Sequence, residues 1–145
     1  MSRAYAGGRA GAAPSTTVGP NLYAIAARPL WLVEVGVFNT TTTAFVASLQ
    51  RATTAGTSSG PLTEFSEDPE VTTPVGVAAT GFSAGPTITA GALVSASIGA
   101  AIGAGVIWTF GKSGIKIAAG TANGLVITTT TGTGQVCDFY FVWDE

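Results

Sequence analysis

The chain has 145 residues and little charge, with six Lys or Arg, eight Asp or Glu, no His and a net charge of −2. One domain is the natural count at this length, and a single cysteine excludes an intramolecular disulfide. The acidic balance offers no basic patch for a nucleic-acid backbone, so no nucleic acid is expected as a partner. Since few ionisable groups can converge in a cleft, the composition argues against an enzyme, and no cofactor is expected.

Residues 1–20 are predicted to form an extended N-terminal arm. The segment is rich in Ala and Gly, shows no hydrophobic period, and has Arg3 and Arg9 as its only charges. Such a segment cannot bury enough apolar surface on its own to offset its ordering entropy, so we expect it to lie against another chain. The start lacks the apolar core of a secretory signal, which favours synthesis in a cytoplasm.

Residues 21–145 are predicted to form one all-β domain of about eight strands. Segments rich in Val, Ile, Thr and aromatic residues are separated by turn signals about every 8–12 residues, and none has the period of an amphipathic helix. The predicted strands cover residues 22–27, 30–38, 44–51, 75–79, 87–98, 106–110, 114–118, 125–131 and 135–143. This pattern predicts an antiparallel β-sandwich of the jelly-roll type.

Alternation within these segments predicts which side chains pack. In 30–38, Trp31, Val33, Val35 and Val37 would share one side, and an Asn39-led turn would join this strand to 44–51 as a hairpin. In the last strand, Cys137 would share one face with the aromatic residues at 139, 141 and 143. The candidates for core or subunit packing are Trp31, Val33, Val35, Trp108, Phe139, Phe141 and Trp143.

Several strands are apolar on both faces, as where Phe139 and Phe141 alternate with Tyr140 and Val142. A monomeric sandwich keeps one face of each sheet polar, so we expect one outer face to be buried in an oligomer. The uncharged stretch 87–110 is interpreted as two strands around a Gly-rich turn, because its Thr and Ser content disfavours a membrane span. No membrane is therefore expected as a partner.

Two groups of acids have alternative interpretations. Glu34, inside an apolar strand, is either a perturbed carboxylate or, as we favour, a charge that pairs with Arg28 or Arg51. The long loop 52–70 ends in the cluster 64–70, which holds half of all the acids. This cluster is either a Ca²⁺ site or a solvated loop tip, and its spacing favours the tip.

A resemblance is carried by residues 32–41, 49–51 with 54–57, 103–110, 120–127 and 143–145. The order of these segments resembles the small jelly-roll proteins that decorate the capsids of tailed bacteriophages. The sandwich is also similar to the tumour-necrosis-factor-like jelly roll. That likeness implies a homotrimer formed through aromatic and small apolar residues on one sheet.

The resemblance implies a non-enzymatic capsid decoration, or cement, protein on the virion surface that binds the major capsid protein lattice and stabilises the head. The arm would then make the capsid contact, through Arg3, Tyr5, Arg9, Pro14 and Val18. Two alternatives stay open. A receptor- or glycan-binding module of a fibre or tail would show exposed Trp or Tyr at loop tips, and a tail-tube or connector subunit would form larger rings.

Overall fold

The computed structural model describes residues 2–70 and 73–145, and these residues form strands and loops without a helix. The predicted all-β class and antiparallel sandwich are confirmed. In the described part of the chain the strands are β1 (Arg3–Arg9), β2 (Asn21–Tyr23), β3 (Leu30–Asn39), β4 (Phe45–Ala52), β5 (Thr57–Pro61), β6 (Phe65–Ser66), β7 (Val77–Ala84), β8 (Val94–Ile98), β9 (Gly105–Thr109), β10 (Ile115–Ile117), β11 (Gly124–Thr128) and β12 (Cys137–Asp144).

These strands build two sheets that pack face to face. The first sheet has the order β10-β3-β12-β1-β6, and β9 pairs with β3 beside β10. The second sheet has the order β5-β7-β2-β11-β4-β8. Eight of the strands nest as pairs, since β1 pairs with β12, β2 with β11, β3 with β9 and β4 with β8. The pairing of these strands is therefore nested from the two ends of the chain inward.

The main core lies between the two sheets. As predicted, Cys137, Phe139, Phe141 and Trp143 of β12 are all buried in it. Burial of a large apolar side chain contributes about 1.5–3 kcal/mol, so this single strand supplies much of the core energy. Other fully buried side chains of the core are Leu22, Leu30, Leu32, Leu49, Ile117, Leu125, Ile127, Val35 and Val37.

A second apolar cluster covers the outer side of the second sheet. Val126 lies between Leu125 and Ile127 of the main core, and its side chain packs instead with Tyr23 and Ala52. Phe82 and Ile88 cover this cluster. The apolar residues on both sides of β11 are therefore buried by contacts within one chain.

The N-terminal segment is part of the sandwich, which corrects the predicted separate arm. β1 lies between β12 and β6, and its Ala4 and Ala6 are buried in the main core. Beyond it, Pro14 is buried and its carbonyl accepts a hydrogen bond from the Gly134 amide at 2.6 Å. The small residues of β1 fit because the facing side chains of β12 are large, which composition alone does not show.

The predicted hairpin between residues 30–38 and 44–51 is wrong. β3 lies in the first sheet and β4 in the second, so the connection crosses the sandwich. The Asn39 side-chain amide donates to the carbonyls of Thr43 at 2.8 Å and Gly99 at 2.9 Å, which holds the crossing in place. A turn signal specifies a change of direction, and only the burial of both strands decides which sheet receives the second.

The alternation of β3 changes phase at a β-bulge. Val142 pairs with Glu34 and Trp143 with Leu32, so Val33 has no partner on β12. The extra residue turns Leu32 inward with Val35, whereas Trp31 and Val33 are only half-buried on the other side. The prediction that Trp31 and Val33 share a side with Val35 is therefore wrong, because an inserted residue reverses every side chain beyond it.

The region 52–70 was expected to be a loop and instead contains β5 and β6, whose polar, short sequences carry no apolar alternation. Residues 87–110 contain two strands around a turn, as expected, although β8 begins only at Val94. Over residues 2–70 and 73–145, the structure holds no helix long and apolar enough to cross a membrane.

Candidate interaction surface

The outer side of the first sheet carries a patch of large apolar and aromatic side chains, which we call the aromatic face. Strand register defines it, because these residues alternate with the buried ones on the same strands. Its members are Tyr5, Trp31, Phe38, Phe65, Ile107, Tyr140 and Val142. Phe65 is 63% exposed and Ile107 is 52% exposed, so solvent reaches both margins of the patch.

Two stacked rings form the centre of the aromatic face. The rings of Phe38 and Tyr140 lie 6.3 Å apart between centroids with an angle of 25° between their planes. A Cβ on Gly36 would lie only 2.2 Å from Tyr140 Cε1, and one on Gly105 only 2.4 Å from Phe38 Cδ1. Each ring therefore lies flat on a glycine of the neighbouring strand, and the centre of the face is shallow.

Glu34 fixes the position of Tyr140. The Tyr140 hydroxyl donates a hydrogen bond of 2.6 Å to Glu34 Oε1. Burial and this bond raise the pKa of the Tyr140 phenol to about 12. The expected partner of Glu34 was Arg28 or Arg51, and that expectation is wrong. Within the described residues the ion pairs are Arg3–Asp144 and Arg9–Asp138, and Arg51 donates to the carbonyl of Lys116 at 2.9 Å. Glu34 thus acts as a positioning group for an aromatic ring.

Ion pairs between β1 and β12 border the aromatic face. Arg3 donates to the two carboxylate oxygens of Asp144 at 2.8 and 3.1 Å, and Arg9 does the same to Asp138 at 2.7 and 3.2 Å. The hydrogen bond from Arg9 lowers the pKa of the Asp138 carboxyl. Both cations are therefore paired within the chain. The Arg9–Asp138 pair is exposed and adds little stability, whereas Asp144 is buried beside Arg3.

Trp31 lies at the other end of the face. Lys116 places its ammonium group 5.9 Å from the centre of the Trp31 ring, within range of a cation–π contact. The β3 bulge, which turned Trp31 outward, thereby adds a third aromatic residue of β3 and β12 to this side of the sheet.

The predicted contact residues separate into two places. Arg3, Tyr5 and Arg9 lie on β1 at the aromatic face, whereas Pro14 and Val18 lie in the segment that follows β1 and bond within the chain. Among the predicted packing residues, Phe139 and Phe141 are buried and Trp108 is half-buried against the same core. The predicted arm and the predicted packing residues thus meet only where β1 pairs with β12.

Sequence reasoning missed several members of the aromatic face. Phe38, Phe65 and Ile107 were not predicted to be surface contacts, because each belongs to a segment that was predicted to be either a strand or a loop. One signal was present: Gly36 and Gly105 interrupt apolar strands, and a glycine in a strand indicates close approach by another group. That group is an aromatic ring at both positions.

Other reactive or ionisable side chains, the Cys137 thiol and the carboxylates of the loop 64–70, have structural roles. Burial raises the pKa of the Cys137 thiol to about 12, so it behaves as a small apolar side chain. In the loop 64–70, Glu64 accepts from the Ala78 amide at 2.9 Å and Asp68 from the Glu70 amide at 2.9 Å. Within the described residues, no three His, Cys, Asp or Glu side chains are grouped so as to hold a metal ion.

Comparisons with protein-family models, with curated proteins and with solved structures found no match to this chain.

Proposed function

We propose that the protein is a non-enzymatic structural protein of a tailed-bacteriophage virion, a capsid decoration protein that forms a homotrimer and binds the lattice of the major capsid protein. The observation that carries the proposal is the aromatic face, a group of aromatic and aliphatic side chains bordered by ion pairs, on a sheet whose other side is core. Aromatic residues are enriched in protein interfaces because they bury large areas at small entropic cost.

The topology supports the proposed class. The nested pairing of the first strand with the last, the second with the next to last, and so inward, is the pairing expected of a jelly roll. We infer that the sandwich is of this type. The sequence resemblance to jelly-roll decoration proteins covers the same strands.

The two outer faces of the sandwich support self-association through the first sheet. The apolar cluster of Tyr23, Ala52 and Val126 on the outer side of the second sheet is covered by Phe82 and Ile88. The first sheet keeps Phe38, Tyr140 and Ile107 on a shallow surface. We assign subunit contact to this central part, because flat rings on glycines allow another surface to approach closely.

We assign capsid contact to the β1–β6 margin of the aromatic face. Tyr5 and Phe65 are paired neighbours there and are exposed at 38% and 63%. Both residues lie on strands, and so do all three Trp and the remaining Tyr of the chain. This placement favours flat protein contacts over a glycan-binding head, which would present Trp or Tyr at loop tips.

Two matched substitutions test the proposal. We expect Phe38→Ser to reduce the assembly to smaller species in sedimentation equilibrium, because it removes one of the two central rings. We expect Phe65→Ser to keep the wild-type mass and to weaken co-sedimentation with heads assembled from the major capsid protein of the same virus. Each variant serves as the control for the other, because both remove a Phe from the same face.

A wild-type protein that is monomeric at every concentration would contradict the subunit contact. Rings of more than three copies would favour the tail-tube or connector alternative. If both variants bind capsids as the wild type does, the assignment of this face to capsid contact is overturned.

A further inference from the structure

The outer edge of β9 is open. β9 is an end strand of the first sheet and pairs on one side only, with β3. Such an edge presents unpaired backbone groups that another strand can bind.

The hydrogen-bond phase shows which groups point outward. The bonds from the Asn39 amide to the Ala104 carbonyl and from the Phe110 amide to the Val33 carbonyl place the even-numbered residues of 104–110 toward β3. In an antiparallel ladder the alternate residues point the other way, so Gly105, Ile107 and Thr109 direct their N–H and C=O groups outward. Over the described part of the chain, no backbone or side-chain group bonds to these three amides.

The end strands β10 and β5 carry blocks that β9 and β8 lack. The carbonyl of Lys116 in β10 is capped by Arg51, and β5 carries Pro61 and a register shift at Thr57/Ser58. By contrast, residues 99–111 contain neither a charged residue nor a proline. Proteins protect solvent-exposed edge strands from pairing with charges, prolines or bulges. The lack of such protection at β9 therefore indicates an edge that can pair with another strand.

We propose that β9 pairs antiparallel with β9 of a second copy of the chain, around a two-fold axis at Ile107. In this register the outward groups of Gly105 face those of Thr109 in the other copy, and the Ile107 groups face each other. The edge is thus complementary to itself, as a two-fold interface requires. This contact uses the strand edge and does not depend on the proposed function, because it would join two monomers or two larger assemblies equally well.

Thr109→Pro and Thr109→Val form the matched test. Proline removes an outward N–H and fits an edge strand, while the ladder to β3 keeps its bonds through Trp108 and Phe110. Valine keeps the N–H and the shape of threonine. We expect wild type and Thr109→Val to have the mass of two chains, or of six chains where the pairing joins two of the proposed homotrimers, with slow amide exchange at Gly105 and Ile107. We expect Thr109→Pro to show half that mass and fast exchange at both amides.

The proposal is overturned if the wild-type amides of Gly105 and Ile107 exchange as free edge amides at all protein concentrations. That result would also indicate that any strand bound here comes from another protein. Wild-type mass and slow exchange in Thr109→Pro would overturn it as well. Failure of the aromatic face is distinguishable, because Phe38→Ser would then leave the mass unchanged while the Thr109 variants still differ.

Discussion

At the scale of single residues, glycines decide the shape of the aromatic face. Gly36 and Gly105 have ordinary strand conformations, and what matters is the ring above each of them. The absence of a side chain lets Tyr140 and Phe38 lie against the backbone. A flat apolar surface thus results from two missing Cβ atoms as much as from two rings.

We expect Gly36→Ala to destabilise the protein by about 1–3 kcal/mol, because the new Cβ would lie 2.2 Å from Tyr140 Cε1 and force the ring away from Glu34. Urea unfolding measures the loss. Gly81→Ala is the control, since a Cβ there meets nothing closer than Ser59 Oγ at 3.8 Å. Equal stability of the two variants would contradict the packing of Tyr140 on Gly36.

We expect the Tyr140 phenol to ionise at a higher pH than an ordinary tyrosine. Its pKa of about 12 is higher than the ordinary value of 10.0, so the folded state binds this proton more tightly than the unfolded state. The corresponding stability is present below pH 10 and is lost as the pH rises toward 12. The absorbance of phenolate at 295 nm during alkaline titration measures this. Burial raises the pKa of Tyr23 as well, so Tyr140→Phe removes one part of the late absorbance change and the difference from wild type reports Tyr140. A Tyr140 that titrates near pH 10 in the native protein would refute it.

We expect Cys137 to be inert in the folded protein. Burial raises its thiol pKa to about 12, so little thiolate is present at pH 8, and the sulfur is inaccessible to reagents. Labelling with a thiol reagent should be slow in buffer and complete in denaturant. Rapid labelling without denaturant would show that β12 leaves the core.

At the scale of strands, β1 has a structural role that its composition conceals. It covers one edge of β12, where Ala6 pairs with Phe141 and Ala4 with Trp143. Small residues on one strand and large ones on the next fill the core together. The exposed Arg9–Asp138 pair at its end contributes little by comparison.

Deletion of residues 2–10 is expected to abolish the cooperative unfolding transition, because it exposes the edge of β12 and uncovers Trp143. Circular dichroism during heating tests this. The control is Arg9→Ala, which removes the exposed ion pair with Asp138 and should leave the transition near that of the wild type. A cooperative fold after the deletion would restore the interpretation of this segment as a separate arm.

At the scale of the whole molecule, the two sheets differ in how their outer sides are covered. On the second sheet, Phe82 of β7 and Ile88 of the following loop cover the apolar cluster around Val126, whereas the first sheet presents the aromatic face and the open edge of β9. Both features point to association with other protein surfaces. Apolar side chains make up most of the first feature, and backbone groups make up the second.

We therefore expect assembly to resist salt. Between about 0.1 and 1 M NaCl the Debye length falls from about 10 to 3 Å, which weakens ion pairs and leaves apolar contacts and backbone hydrogen bonds in place. The mass by sedimentation should be constant over this range. Dissociation at high salt would show that charged groups, rather than the rings, hold the subunits together.

The sequence by itself determined the all-β class and the buried face of β12. Both follow from a period of two in side-chain direction, which β-branched and aromatic residues reveal in any local window. The burial of Cys137, Phe139, Phe141 and Trp143 was predictable for that reason.

Only the tertiary structure decided the rest. The place of β1 in a sheet depends on the large side chains of β12, which are more than 120 residues away. The side on which Trp31 lies depends on a bulge whose extra residue is visible only against its partner strand. Whether an apolar outer face is covered depends on segments from elsewhere in the chain. Ile88, for example, forms a bridge with Ala52 and packs on the cluster around Val126. The local sequence pattern specifies on which side of a strand each side chain lies. Which strands pair, and whether an outer face is covered, is decided by contacts between segments distant in sequence.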